Sequence, residues 1–354
     1  MNLLMISGDR TLAEGKLGAF YNTLEEFHKH WGRIDIITPK ISNSKTQITN
    51  ILGNVFIHPS PWPLIFQSLW ILKKGREIYK DQKFNLMTVH EYPPFYNGMG
   101  ARLLWQKIKV PYILEIHHIV GYPRSASFKE FLYRMATRFF VKSDSSKAKA
   151  VRIVNNNQTR NFLVKYGISE KKLRYIPSFY IDLNIFKPLD LEKKYDLIFV
   201  GRLAKNKGLD LLLEIAGKTN YRILIVGMGP LYDYLKHQIK NHGLNINMQG
   251  WVKGSSEVSR LINESKALIM LSDSEGGPRV VLEALACGVP VIATPVGIVP
   301  DVINYSNGKI INWSAGEAIR AFGEIKDMRI KENLSQFEKE KAIKNYADSL
   351  KELI

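Results

Sequence analysis

Two carboxylates stand eight residues apart in a stretch whose composition suits an anionic, hydroxyl-rich ligand. Glu275 follows an apolar run at 267–271 that is typical of a buried strand, and Glu283 lies in the helix predicted next. Pro278 favours the first turn of that helix and Gly288 its end, because proline lacks only an N–H that is unpaired there anyway. The strand therefore places Glu275 at a sheet tip, beside N–H groups of a helix N-terminus, which attract anions.

The residues between the two carboxylates leave two interpretations open. Gly276 and Gly277 carry no side chain, so a ligand can approach their backbone closely. In the first interpretation, Glu275 and Glu283 accept hydrogen bonds from hydroxyls of a hexose and a ribose. In the second, Glu283 is an exposed helix residue paired with Arg279 at i, i+4, a contact that contributes only a few tenths of a kcal/mol.

Two cations follow the predicted strand at 196–200. Arg202 follows that strand within Gly201-Arg202-Leu203, and Lys207-Gly208 begins the next predicted helix. The segment is not a Walker A loop, which ends in Gly-Lys-Ser/Thr. An arginine fork and a lysine point charge can hold a diphosphate together. The alternative is a solvated turn that happens to be basic.

A second glycine-containing turn follows the strand at 222–226. Gly227-Met228-Gly229 matches half of the dinucleotide fingerprint, but Tyr232 occupies the position of its third glycine. Nicotinamide binding is therefore weakly supported. The segment is interpreted as a tight strand–helix turn near the base or ribose of a ligand.

Histidines end two predicted strands in the first half of the chain. His117 and His118 follow one strand, and His90 ends another. Each is either a hydrogen-bonded core residue or a group that points into a cleft at the carboxyl edge. Metal ligation is compatible with the residue type, but no closely spaced set of Cys, His or Asp supports it, so no metal and no cofactor are expected.

The bulk properties describe a soluble protein that binds anions. The chain has 354 residues, 45% hydrophobic and 23% charged, with a formal charge of +17 and one cysteine. One cysteine excludes an intramolecular disulfide and fits a reducing, cytoplasmic compartment. The start at 1–6 is interpreted as a strand and not as a signal peptide, and no apolar run approaches the roughly 18–20 residues of a membrane span.

Such basicity requires an anionic partner. No nucleic-acid module is recognisable, so nucleic acid is not expected. Segments 61–74 and 128–142 interleave aromatic residues with cations. Each is either an ordinary amphipathic helix that covers a sheet or a peripheral contact with an anionic membrane surface on its cytoplasmic face.

Strands alternate with helices along both halves, which predicts two parallel α/β sheets covered on both faces. The domains are predicted at 1–187 and 188–334, with 180–194 as linker and an amphipathic helix at 335–354. The predicted strands are 2–7, 33–38, 54–58, 85–90, 111–117, 150–155 and 174–177, then 196–200, 222–226, 246–249, 267–271, 289–294 and 309–311. The predicted helices of the first half are 15–31, 64–80, 95–107, 128–141 and 158–165.

Together these motifs resemble the retaining GT-B glycosyltransferases of family 4 (glycosyl transferases group 1). The match is close in the second half and fainter in the first, where a glycine-containing loop at 15–18 and the histidines His90 and His117 occupy matching places. Gly277-Pro278 departs from the usual Phe-Gly. The matching second-half segments, in the family's order, are Gly201-Arg202-Leu203 with Lys207-Gly208, Gly250-Trp251-Val252, Ser274-Glu275-Gly276, Glu283 to Thr294, and Pro300-Asp301.

The resemblance implies two Rossmann-like domains whose parallel sheets face each other across an interdomain cleft, with the final helix packing back on the first domain. It implies catalytic roles for Glu275, His117, Arg202 and Lys207. The implied chemistry is sugar transfer from a UDP- or GDP-sugar with retention and without a metal, in which a basic pair and a helix N-terminus stabilise the leaving diphosphate. The implied donor-binding residues are Gly15, Arg202, Lys207, Gly227, Glu275, Gly276, Gly277, Pro278 and Glu283.

Three functions are compatible with this fold. The first is a hexosyltransferase that acts on a glycan or lipid-linked acceptor during cell-surface polysaccharide or glycolipid assembly. The second is a sugar-nucleotide epimerase or hydrolase of the same fold, which needs no acceptor. The third is a non-catalytic protein that binds nucleotide sugars. The intact pairs of cations and glutamates favour an enzyme.

Overall fold

The computed structural model describes residues 1–16, 18–41 and 49–354, which divide into two compact units. Unit 1 comprises Met1–Val120, Phe131–Ser178 and Glu340–Ile354. Unit 2 comprises Gly121–Glu130 and Phe179–Lys339. Each unit contains its own sheet, as the alternation of strands and helices predicts.

Within the described residues, unit 1 is built on one eight-stranded sheet. Its strands are β1 (Asn2–Ile6), β2 (Arg33–Thr38), β3 (Asn50–Ile51), β4 (Val55–Pro59), β5 (Leu86–His90), β6 (Tyr112–Ile116), β7 (Ala150–Ile153) and β8 (Leu173–Tyr175). They lie in the order β3-β4-β2-β1-β5-β6-β7-β8. The short β3, which the sequence pattern did not predict, pairs antiparallel with β4. Every other neighbouring pair is parallel.

Helices connect the parallel strands of unit 1. Among the described residues, the α-helices before unit 2's sheet are α1 (Ala19–Phe27), α2 (Gln67–Asp81), α3 (Tyr96–Ile108), α4 (Phe128–Ser145) and α5 (Gln158–Lys165). The strand residues they cover are apolar almost throughout, because parallel strands are buried on both faces. The helix predicted from residue 15 begins only at Ala19, and Leu17, within the predicted range, lies outside the described residues.

Unit 2 contains a six-stranded sheet that is parallel throughout. Its strands are β9 (Tyr195–Val200), β10 (Ile223–Val226), β11 (Ile246–Gly250), β12 (Ser265–Met270), β13 (Val291–Ala293) and β14 (Gly308–Ile310). They lie in the order β11-β10-β9-β12-β13-β14. Its helices are α6 (Leu209–Gly217), α7 (Tyr232–Asn241), α8 (Ser255–Asn263), α9 (Arg279–Ala286), α10 (Val299–Val302) and α11 (Ala315–Ile325).

Alternate residues of the unit 2 strands enter opposite cores. In β10, Leu224 and Val226 pack in one apolar cluster, whereas Ile223 and Ile225 pack in the other. This alternation follows from the two-residue period of a strand. The sheet is therefore covered on both faces, and its functional groups are carried by the loops at the strand ends.

The segment at 180–194, predicted as a linker, packs against unit 2. Ile181 and Phe186 are buried in one of its two cores. The backbone N–H of Leu189 donates to Asn263 Oδ1 at 2.8 Å. The longer stretch of unit 2 begins at Phe179, whereas the domain boundary was predicted at 187/188. Proline and charged residues surround these apolar residues in the sequence, so the local pattern does not indicate that they are buried.

The last helix, α12 (Lys339–Lys351), belongs to unit 1. The apolar face predicted from its spacing is buried, with Ile343, Ala347 and Leu350 fully covered. Tyr346, on the same face, stacks on Phe27 of α1 with ring centroids 4.8 Å apart. Helical spacing of apolar residues in a charged tail therefore predicted a docked helix.

Candidate functional site

The order of the unit 2 strands creates a switch point between β9 and β12. From β9 the chain proceeds outward through β10 and β11, and from β12 it proceeds to the other edge through β13 and β14. Loops after adjacent strands on the two sides of such a point diverge and leave a crevice at the carboxyl ends, where α/β proteins bind ligands. The loop after β9 carries Arg202 and Lys207, and the loop after β12 carries Glu275.

Backbone hydrogen bonds join these loops to their neighbours. The N–H of Asp273 donates to the carbonyl of Asn206 at 2.9 Å, so the β12 loop is fixed to the β9 loop. The N–H of Leu203 donates to the carbonyl of Met228 at 3.0 Å, so the β9 loop is also fixed to the β10 loop. Three neighbouring strand ends thus form one connected edge.

Lys207 and Glu275 form an ion pair at this edge. Glu275 Oε1 also accepts a hydrogen bond from Ser272 Oγ at 2.9 Å. The side chains of Lys207 and Glu275 are 23% and 17% exposed, so a ligand can still reach both. The structure therefore brings together a predicted phosphate ligand and a predicted sugar ligand, 68 residues apart in the chain, as direct partners.

The turn after Glu275 is shaped by a close contact with an aromatic ring. A Cβ atom on Gly277 would lie 1.8 Å from the Phe179 ring, so only glycine fits there. Pro278 is buried and precedes α9, as predicted, and no side chain within the described residues caps the helix. The turn of Gly276 and Gly277 is thus held beside a helix N-terminus whose first N–H groups have no partner within the helix.

Glu283 differs from an ordinary surface carboxylate. Burial raises its pKa from 4.5 to about 7, and the charge of Arg279 opposes this only in part. Arg279 instead lies over the Tyr180 ring, 4.4 Å from its centroid. The interpretation of Glu283 as an exposed partner of Arg279 is therefore wrong. Its carboxyl group is desolvated, as is typical of a group that meets a ligand.

Arg202 and Gly227 occupy neighbouring turns at the same edge. The Arg202 side chain is exposed in the turn after β9. Gly227, after β10, has φ of +143°, and a Cβ atom there would lie 1.9 Å from the Gly201 carbonyl oxygen. The glycine therefore lets two strand-end turns touch, which explains the half-fingerprint without a nicotinamide.

The two remaining predicted site residues belong to unit 1. Gly15 has φ of +75° in the loop between β1 and α1. His117 directly follows β6 and is partly buried. Its ring stacks on that of His90, with centroids 4.2 Å apart. Burial, and then the neighbouring His90 and Arg152, hold the pKa of His117 well below its usual value.

The prediction missed a buried ion pair beside His117. Arg152 Nη1 donates to Glu115 Oε1 at 2.9 Å and lies 3.3 Å from His117 Nε2. Both charged residues interrupt apolar strands, Glu115 in β6 and Arg152 in β7. A single charge in each of two adjacent predicted strands is the signal that could have identified them.

Two kinds of feature are absent from the described residues. No group of three or more Cys, His, Asp or Glu side chains within residues 1–16, 18–41 and 49–354 is arranged to hold a metal ion. No helix in the same ranges combines the length and apolar character needed to cross a bilayer.

Two family models match the chain on either side of Ile181. The model described as Glycosyltransferase Family 4 matches residues 19–180. The model described as Glycosyl transferases group 1 matches residues 181–349. Together they cover every described strand except β1 (Asn2–Ile6), and most of α12.

Individual proteins extend these matches. A phosphatidylinositol N-acetylglucosaminyltransferase component of Arabidopsis thaliana is 30% identical over 292 residues, which are 77% of this chain and 62% of that protein. The lipopolysaccharide outer core galactosyltransferase WaaB, solved in its apo form, superposes with a TM-score of 0.74 at 16% identity over 100% of both chains. The Anabaena protein HepE, solved with UDP-glucose, superposes with a TM-score of 0.71 at 15% identity over 99% of this chain and 100% of that one.

Proposed function

We propose, from the premise that this chain belongs to the glycosyl transferases group 1 family and is a glycosyltransferase of GT-B fold, that it transfers a sugar from a nucleoside-diphosphate sugar to a glycan or lipid-linked acceptor. The observation that carries the proposal is the pairing of Lys207 with Glu275 at the unit 2 switch point. A diphosphate binds to cations, and the hydroxyls of a hexose need hydrogen-bond acceptors. Lys207 supplies a cation and Glu275 supplies such an acceptor.

Each group at this edge has a role in donor binding. Arg202 and Lys207 bind the diphosphate oxygens, the first as a fork and the second as a point charge. Glu275 accepts hydrogen bonds from sugar hydroxyls and releases Lys207 to the phosphate. Glu283 accepts hydrogen bonds from the ribose hydroxyls. The donor is a UDP- or GDP-sugar, and the complex of HepE with UDP-glucose favours uridine.

The reaction breaks the bond between the anomeric carbon and the diphosphate oxygen and forms a bond to the acceptor oxygen. The leaving nucleoside diphosphate keeps the electron pair of the broken bond and so gains negative charge, and one of its phosphate oxygens takes the proton that the acceptor hydroxyl loses. Lys207, Arg202 and the N-terminus of α9 stabilise that charge, so no metal is needed. The configuration of the anomeric carbon is retained. His117 acts on the transferred sugar as a hydrogen-bonding group.

The direct test measures transfer from a panel of UDP- and GDP-sugars to a lipid extract, with products identified by mass spectrometry. Lys207→Ala and Glu275→Ala should each lower turnover at least about 100-fold, the effect of removing one transition-state contact. Lys205→Ala, an exposed lysine in the same turn, is the matched control and should leave turnover unchanged. Undiminished turnover in both site variants would refute the assignment.

Retention and metal independence have their own measurements. NMR of the product should show the same anomeric configuration as the donor. Turnover should persist after treatment with a chelator and dialysis. An inverted product contradicts the retaining mechanism, and loss of turnover that only a divalent metal restores contradicts the metal-independent one.

The epimerase and hydrolase alternatives are distinguished by omitting the acceptor. With donor alone, the transferase should produce neither an isomer nor free sugar at a rate comparable to transfer. Accumulation of either product without acceptor would favour the alternative.

The acceptor is proposed to be lipid-linked and to reside at the cytoplasmic face of a membrane. The names of two relatives include a lipid or a lipid-anchored glycan, phosphatidylinositol and lipopolysaccharide. Helix α4 exposes Leu132 and Phe139 beside its cations, and Ile65 before α2 is 65% exposed. Such a pattern suits the interface of an anionic bilayer.

Flotation with liposomes tests this contact. The protein should float with anionic vesicles and remain at the bottom with zwitterionic ones. Phe139→Ser should reduce flotation, whereas Tyr305→Ser, at a more exposed aromatic residue of unit 2, should not. Equal flotation of wild type and Phe139→Ser excludes this helix as the contact.

A further inference from the structure

A pair of buried charges lies inside the sheet of unit 1, next to His117. Glu115 of β6 and Arg152 of β7 are register partners across two parallel strands. They are 4% and 1% exposed. A buried ion pair loses its hydration, so it is tolerated only when further hydrogen bonds saturate both partners. The surrounding residues supply such bonds to Glu115 and to Nε and Nη1 of Arg152, whereas Nη2 of Arg152 has no hydrogen-bond partner among the described residues.

The last helix contributes one residue that contacts both charges. The hydroxyl of Tyr346 in α12 donates to Glu115 Oε1 at 2.7 Å. The Arg152 guanidinium lies over the Tyr346 ring, 4.0 Å from its centroid. Stacking on Phe27 fixes this ring in turn. Tyr346 thus holds the carboxylate through its hydroxyl and the guanidinium through its ring.

The guanidinium of Arg152, held in this way, also contacts His117. Arg152 Nε donates to the carbonyl of Ile176 at 2.8 Å, and Nη1 lies between Glu115 Oε1 and His117 Nε2 at 2.9 and 3.3 Å. Arginine has donors and no acceptor. Nε2 of His117 must therefore be the acceptor in this contact, and a neutral ring with an acceptor at Nε2 carries its proton on Nδ1.

We propose that Tyr346 is a positioning residue that acts through Glu115 and Arg152 to hold His117 as the neutral Nδ1–H tautomer. His117 then serves as a hydrogen-bond donor to the transferred sugar and cannot accept a proton from the acceptor hydroxyl, because its Nε2 lone pair is occupied. This inference rests on the proposed function, which assigns His117 to the sugar. It gives the last helix a task in the reaction in addition to its packing.

The groups around His117 all favour the neutral ring. His90 stacks on it and has its own pKa lowered to about 4, chiefly by burial. Arg152 and His118 oppose a second positive charge. Glu115, the carboxylate of this cluster, is engaged by Arg152 and Tyr346. Protonation of His117 would bring a cation against the guanidinium.

Nitrogen NMR of the imidazole rings tests the first half of the proposal on the wild-type protein. Protonated and unprotonated ring nitrogens have well-separated shifts, and His117→Asn identifies the His117 signals. At neutral pH we expect Nδ1 protonated and Nε2 unprotonated. A proton on Nε2, in either the other tautomer or the imidazolium, overturns the proposal.

The substitution Tyr346→Phe tests the second half. It keeps the ring on Phe27 and Arg152 and removes only the hydroxyl, so the fold should persist. We expect the His117 signals to show mixed tautomers and kcat to fall about tenfold, the fold-change of one hydrogen bond to a charged group. The KM for donor should change little. Tyr79→Phe, in α2, is the control and should alter neither readout.

Two readouts separate a failure of this inference from a failure of the proposed function. If Tyr346→Phe leaves both the tautomer and kcat as in wild type, the positioning role is wrong. If the tautomer shifts but His117→Asn retains full transfer, the support of His117 is real and its assignment to the sugar is wrong. A lower melting temperature with an unchanged tautomer shows that Tyr346 is only structural.

Discussion

Replacing Glu283 with glutamine should stabilise unit 2 and weaken donor binding at the same time. The pKa of Glu283 is raised from 4.5 to about 7, mainly by burial. Below about pH 4.5 the carboxyl group is protonated in both the folded and the unfolded chain, so its ionisation does not lower the free energy of unfolding. As pH rises toward 7, the unfolded chain loses this proton first, and folding becomes less favourable.

The magnitude follows from the difference between the two pKa values. At 1.36 kcal/mol for each pKa step, the shift corresponds to roughly 3 kcal/mol of lost stability above pH 7. Since the side chain is only partly buried, we expect about 1–2 kcal/mol. Glutamine has nearly the same shape and no charge, so Glu283→Gln should recover this free energy at about pH 8 and almost none at about pH 4.

Urea unfolding at both pH values measures the gain, and calorimetric titration with UDP measures binding. In wild type, UDP affinity should fall as pH drops below 7, because only the ionised carboxylate accepts both ribose hydroxyls. Glu283→Gln should bind weakly at every pH. Glu324→Gln, whose side chain is 58% exposed, removes the same charge and should show neither effect. An equal gain in stability at both pH values would refute burial as the cause.

The structure predicts the outcomes of four other substitutions. Gly277→Ala should lower the free energy of unfolding by about 1–3 kcal/mol, measured by thermal unfolding, because its Cβ atom would overlap the Phe179 ring. Gly323→Ala in α11, where the space around the residue is open, should instead raise the free energy of unfolding by up to about 1 kcal/mol. Lys207→Ala should abolish transfer but change the free energy of unfolding by no more than about 1 kcal/mol, since the ion pair that it breaks is partly exposed. A large loss of stability in urea unfolding would assign the ion pair a structural role. Glu91→Gln should stabilise unit 1 at about pH 8 and not at about pH 4, because burial and Asp144 raise the pKa of Glu91 well above its usual value; pH-independent urea midpoints would contradict this.

Local patterns were sufficient to predict the fold. Most strands are short apolar runs closed by glycine, proline or a polar residue, and their alternation with helices requires parallel sheets. The helix Gln158–Lys165 and the strand Arg33–Thr38 have the bounds predicted. The short β3 was missed, because its two residues carry too little pattern to predict a strand. The apolar anchors within the predicted linker at 180–194 were not recognised, because isolated apolar residues have no period.

The sequence by itself determined which residue types stand at each strand end, because an apolar strand followed by a polar turn is encoded within a few neighbouring positions. Only the tertiary structure decided which of those groups become partners. Lys207 meets Glu275 because β9 and β12 are adjacent at the switch point, and Glu283 acquires a raised pKa because the fold buries it. The bond from Tyr346 to Glu115 spans 231 positions. Burial and long-range proximity depend on how whole elements pack, and no local pattern encodes them.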